Sequence, residues 1–101
     1  MDIKMCGISQ DEEKIILKSL SPFFKEYDFY YYGSRARGDF RPLSDLDILI
    51  KGQKAFDTLD LENLKNVFDN SNLPFIVNLV DFQNITEKFY ASIKDDLIKL
   101  N

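Results

Sequence analysis

Three short runs dense in β-branched and aromatic residues punctuate the chain: YDFYYYG at 27–33, DLDILIK at 45–51 and PFIVNLVDF at 74–82. Each has the length and composition of a strand. The stretches between them carry helical spacing instead. That alternation restricts the fold more than any other feature. Strands that alternate with helices gather into one sheet and the helices lie across it, so the pattern predicts a small α/β (α+β) domain with helices packed on a three-stranded sheet.

The helical stretches can be placed from local signals. Ser9-Gln10-Asp11-Glu12 reads as a capping box, with the Ser9 side chain and the Glu12 carboxylate each serving a free N–H at the helix start. Ile15, Ile16 and Leu20 follow at helical spacing, so the first helix spans about Gln10 to Leu20. A continuation through Phe24 is left open by Pro22, which bends or ends the helix. SRARG after Gly33 is long enough for one helical turn ending at Gly38. Asp60 to Ser71 places Leu61, Leu64, Val67 and Phe68 on one face. Ile85, Phe89, Ile93, Leu97 and Leu100 are also helically spaced, which predicts that the chain ends on a helix. With 101 residues the expectation is one domain, 1–101, with one modest core.

Composition removes several chemistries. The chain has no histidine and one cysteine. A Ser-His-Asp or Cys-His nucleophile system is therefore excluded, as is a His-ligated zinc site. A lone Cys6 makes no internal disulfide, and MDIKMCGISQDEEK lacks the basic and apolar regions of a secretory leader. Both point to the cytoplasm. No apolar run is long enough to span a membrane. The net charge of −4 argues against direct nucleic-acid binding, which needs a basic face. Acid–base or metal work must fall to carboxylates, lysines or tyrosines.

Against that background Asp45 and Asp47 stand out. Residues two apart in a strand share a face, so both carboxylates project together while Leu46, Ile48 and Ile50 point the other way. Two ionised carboxylates at this separation repel each other, and a hard divalent cation with oxygen ligands relieves the repulsion. Gly33-Ser34 closes the strand before them. Glycine permits a sharp turn and a close approach to a ligand, and Ser34 with the free N–H groups after it favours an anion. Arg35, Arg37 and Arg41 lie between the two motifs, and guanidinium suits phosphate oxygens. Not all three can face one cleft, and Arg37 is the candidate. Asp81, at the end of an apolar run, is the expected third carboxylate; Asn78 falls on the opposite face from it.

Gly33-Ser34, ten further residues, then Asp45-Leu46-Asp47 resembles the signature of the DNA polymerase beta-like nucleotidyltransferase superfamily. GSRARGDFRPLSDLDILI followed by VNLVDF is more closely similar to the minimal nucleotidyltransferases, many of which act as antitoxins of HEPN-domain toxins. The resemblance implies a mixed sheet and a Gly33-Ser34 turn that holds the triphosphate of ATP. It implies two Mg²⁺ ions on Asp45, Asp47 and Asp81, and transfer of AMP to a hydroxyl of the toxin, a tyrosine in the family's known case. Two rivals stand beside it. One is a catalytically silent antitoxin that neutralises its partner by binding alone. The other is nucleotide addition to RNA or an antibiotic, for which a chain of this size has little room.

Overall fold

The capping box at Ser9 forms: Glu12 N donates to Ser9 Oγ at 3.1 Å, and Ser9 N donates to Glu12 Oε1 at 2.9 Å. It opens α1 (Gln10–Leu20), after which Ser21–Phe23 makes a 3₁₀ turn around Pro22. A computed structural model describes residues 5–101; residues 1–4, the start of the segment read above for a leader, lie outside it. The remaining order is β1 (Asp28–Tyr32), α2 (Gly33–Arg37), β2 (Leu46–Lys51), α3 (Thr58–Asp69), β3 (Val77–Asp81), α4 (Glu87–Ile93) and β4 (Ile98–Lys99).

The sheet has four strands rather than three, in the order β3-β2-β1-β4. β1 runs antiparallel to both β2 and β4, and β3 runs parallel to β2. α3 makes the crossover that a parallel β2–β3 pair requires. The sheet is therefore mixed.

Alternation along the strands builds two apolar layers. Phe29, Tyr31, Leu46, Ile48, Ile50, Val77 and Leu79 share one face with Ile16 and Leu20 of α1 and Leu64 and Phe68 of α3. Tyr32 and Leu49 face the other way, against Ile93 and Tyr90 of α4. Each fully buried aliphatic or aromatic side chain contributes about 1.5–3 kcal/mol, so the α1/α3 layer supplies most of the fold's stability. Val67, placed above on the inner face of α3, is exposed.

The expected C-terminal helix stops at Ile93. Beyond it, Leu97 packs in the α4 layer while Ile98 and Leu100 pack in the α1/α3 layer. That is a period of two, and it lets β4 cover the outer edge of β1. Leu100 N donates to Phe29 O at 2.8 Å, and the Asn101 side chain continues the pairing to Phe29 N and Tyr27 O. The helical spacing of Leu97 and Leu100 was coincidental. Among the described residues no helix is long and apolar enough to cross a membrane.

Candidate active site

β2 is the central support of the site. Its register places Tyr32 of β1 and Asn78 of β3 on either side of Asp47. All three side chains share the α4 face of the sheet, at the end where Gly33 begins α2. Asp45 stands exposed just before the strand, and Leu46 N anchors the strand start to Ile76 O at 2.8 Å.

Gly33 has φ +81, a conformation that L side chains rarely adopt, and a Cβ there would run into Asp47 Oδ2. The Gly-Ser turn is thus pressed directly onto the carboxylate, and only glycine permits it. The turn's short helix closes when Gly38 N and Asp39 N donate to Ser34 O, at 3.0 and 3.1 Å. Gly33 is thus set against Asp47, and Asn78 ties Asp47 to Asp45.

The arginines divide. Arg35 is 1% exposed and faces inward. Its Nε donates to Ser44 O at 2.9 Å, Nη1 to Cys6 O at 2.9 Å and Nη2 to Pro42 O at 3.0 Å. Its guanidinium lies 4.3 Å from the Phe75 ring centroid and 5.0 Å from that of Phe40. It clamps the loop that delivers Asp45 and has no surface to offer a phosphate. Arg37 is exposed, pairs loosely with Asp39 at 3.4 Å and Asp96 at 3.6 Å, and its charge favours ionised Asp47.

Asp81 is not brought to the pair. Its register partner is Ile50, three positions beyond the Asp47–Asn78 pair. That offset is about 10 Å along the strand and an odd number of residues, so Asp81 emerges on the opposite face. It is 5% exposed. Oδ2 accepts from Phe56 N at 2.7 Å and Oδ1 from Gln83 N at 3.0 Å. The carboxylate fastens the β2–α3 connection and caps the turn after β3. The three-aspartate cluster expected above does not form.

Asn78 occupies the place beside the pair. Its Nδ2 donates to Asp45 Oδ2 and to Asp47 Oδ1, both at 3.1 Å. Burial pushes the Asp47 carboxyl above the usual range; the Asn78 hydrogen bond opposes that, Asp45 adds to it and Arg37 opposes it. Burial and the nearby Asp47 push Tyr32 up to about 12. A groove of about 540 Å³ along β3 is bordered by Tyr32, Asp47, Asn78 and Lys65. A larger cleft lies around Lys25, Lys51 and Lys54, and none of Gly33, Ser34, Asp45 and Asp47 lines it.

The donor set suits one hard cation. Asp45 and Asp47 offer oxygens on a shared face, and rotating the Asn78 amide would add a neutral third. It does not suit two ions held by three carboxylates: among the described residues no three Asp, Glu, His or Cys side chains gather. Asn78 could have been found in the sequence by asking which β3 residue shares a face with Asp47, but that needs the β2–β3 register. Asp81 attracted the assignment because it is a carboxylate.

Residues 13–100 match the family model described as nucleotidyltransferase domain. The chain is 32% identical over 87 residues to the Haemophilus influenzae protein named "Probable protein adenylyltransferase MntA", covering 86% of this chain and 76% of that one. A crystal structure of a toxin–antitoxin with AMP-PNP superposes with a TM-score of 0.61 at 26% identity, over 76% of this chain and 62% of that chain. A crystal structure of the toxin–antitoxin MntA-HpeT mutant Y104A shares the fold, with a TM-score of 0.65 at 22% identity over 88% of this chain and 71% of that chain. With the turn, the aspartate pair and the mixed sheet in place, the chain belongs to the nucleotidyltransferase family of enzymes, in its minimal, MntA-like form.

Proposed function

We propose that this chain transfers AMP from ATP to a hydroxyl of a partner toxin in the cytoplasm, and so serves as an antitoxin. The observation that carries the reading is the close approach of Gly33 to Asp47, which sets the Gly-Ser turn against the carboxylate pair. The likeness to a protein named as an adenylyltransferase, and to toxin–antitoxin structures of which one holds an ATP analogue, supports the choice of nucleotide and partner. A HEPN-type toxin with a tyrosine acceptor is the partner the motif resemblance favours.

Gly33, Ser34 and the N–H groups that follow hold the β- and γ-phosphates, with Arg37 within reach once it leaves its loose pairs. Asp45 and Asp47 would hold a divalent cation such as Mg²⁺, which would supply positive charge to the triphosphate. The acceptor oxygen attacks the α-phosphorus and a new P–O bond forms. The bond from that phosphorus to the α,β-bridging oxygen breaks, and pyrophosphate leaves with the electron pair. The hydroxyl proton passes to solvent or to a group of the partner.

The test is incubation with α-labelled ATP, Mg²⁺ and the protein encoded by the adjoining gene. Label on that protein, lost with Asp45→Asn or Asp47→Asn, is expected; an unlabelled neighbour would overturn the reading. A second reading, neutralisation by binding alone, is favoured by the presence of Asn78 where a third carboxylate was expected. It predicts that a protein carrying both Asp45→Asn and Asp47→Asn still silences the toxin.

A further inference from the structure

We infer that Asn78 limits this site to a single divalent cation alongside the nucleotide and leaves the acceptor hydroxyl without a carboxylate base from this chain. The inference rests on the nucleotide-transfer reading and concerns how that site is equipped.

Four observations carry it. The register puts Asn78, rather than an acid, directly beside Asp47 on the face that carries the pair. Its amide nitrogen bridges both carboxylates at 3.1 Å, so it already performs part of what a cation does there: it sets positive character between two like charges. Asp81 cannot replace it, being on the other face with both oxygens engaged by backbone N–H groups. No further acid joins the pair to make three among the described residues.

Two divalent cations stand about 3.5–4 Å apart in sites that hold both. Their mutual repulsion at that distance is offset by formal negative charge from the ligands. The triphosphate supplies such charge on one side of the Asp45–Asp47 pair. On the acceptor side this chain supplies only a neutral amide. Asp45 and Asp47 would therefore hold one cation with the triphosphate, and this chain's residues would supply too little charge to hold a second on the acceptor side. The same neutral amide cannot take a proton from the acceptor at ordinary pH, so deprotonation falls to solvent or to the partner.

Counting Mn²⁺ by electron paramagnetic resonance, in the presence of the α,β-methylene analogue of ATP, tests this. The wild-type chain should bind one Mn²⁺ and Asn78→Asp two, with the second ion at least tenfold tighter than any second site in the wild type. Without metal, Asn78→Asp should melt below the wild type, because a third carboxylate joins two others. Mn²⁺ should reverse that order, and purification in Mn²⁺ keeps the variant folded. Asn78→Ser, which removes the amide but adds no charge, should stay at one ion. AMP transfer to the acceptor should rise at least tenfold in Asn78→Asp. Two ions in the wild type, or one in Asn78→Asp, would overturn the inference while leaving the nucleotide-transfer reading intact. Absence of any nucleotide-dependent Mn²⁺ in both proteins would overturn the reading itself and the inference with it.

Discussion

Replacing Arg35 by lysine should unfold much of this protein's stability margin while preserving its charge. Three guanidinium nitrogens each hold a separate backbone carbonyl within 3.0 Å, those of Ser44, Cys6 and Pro42. A lysine has one nitrogen and can serve one of these positions well, leaving two carbonyls without their partner. Hydrogen bonds to a charged group contribute about 1.5–3 kcal/mol each. Loss of the planar stack on Phe75 adds about 0.5–1 kcal/mol. Because such losses share one residue and overlap, the expected total is about 3 kcal/mol rather than the full sum. Domains of this size have about 5–15 kcal/mol in all, and 1 kcal/mol corresponds to about 4–8 °C. Arg35→Lys should therefore lower Tm by about 12–24 °C in thermal unfolding followed by circular dichroism. Amide exchange should accelerate first in the 38–45 loop, and nucleotide affinity should fall even at temperatures where the variant remains folded. A Tm within 4 °C of wild type would refute the assignment of Arg35 as the clamp of that loop.

Gly33→Ala should weaken nucleotide binding at least tenfold and lower stability by about 1–2 kcal/mol, the range for a left-handed residue that gains a Cβ; isothermal titration and urea unfolding measure the two. Asp81→Asn should lower stability by about 1.5–3 kcal/mol, because the amide keeps one acceptor oxygen and turns its NH2 toward the other backbone N–H, so one charge-assisted bond is lost, while Mn²⁺ affinity stays at the wild-type value. Asp47 is raised from 3.8 in the fold, so its ionised form destabilises the native state at pH values above its folded pKa, and the penalty disappears below the unfolded value. Asp47→Asn should thus melt higher than wild type at pH 7 in metal-free buffer, with the gain shrinking as pH falls and absent by about pH 3.5. Ser9→Ala should lower Tm by about 4–8 °C through loss of about 1 kcal/mol from the α1 cap.

What was legible in the sequence is what local rules decide. The start and end of α1 follow from Ser9, Glu12 and Pro22, and the α2 turn follows from Gly33 and Gly38. The faces of β2 follow from alternation, which is why Asp45 and Asp47 were placed together correctly. What was not legible depends on pairing between distant segments. The choice between Asn78 and Asp81 is a question of register, and a shift of one position exchanges the faces of β3. β4 is two residues long, too short for its period to compete with the apparent helical spacing from Ile85 to Leu100. The structural role of Arg35 was hidden because its partners are main-chain carbonyls, which leave no mark in a sequence.

The position of β2 gives the two aspartates different mechanical characters. Asp47 belongs to a strand hydrogen-bonded on both sides, between β1 and β3, where opening requires the sheet to come apart. Asp45 precedes the first paired residue and hangs from a loop held by one arginine. Amides around Asp47 should exchange near the rate of global unfolding and those around Asp45 by local fluctuation. One carboxylate is thus a fixed reference and the other an adjustable arm. A ligand that tightens between them would be recorded as slowed exchange in the loop, with almost no change in the strand.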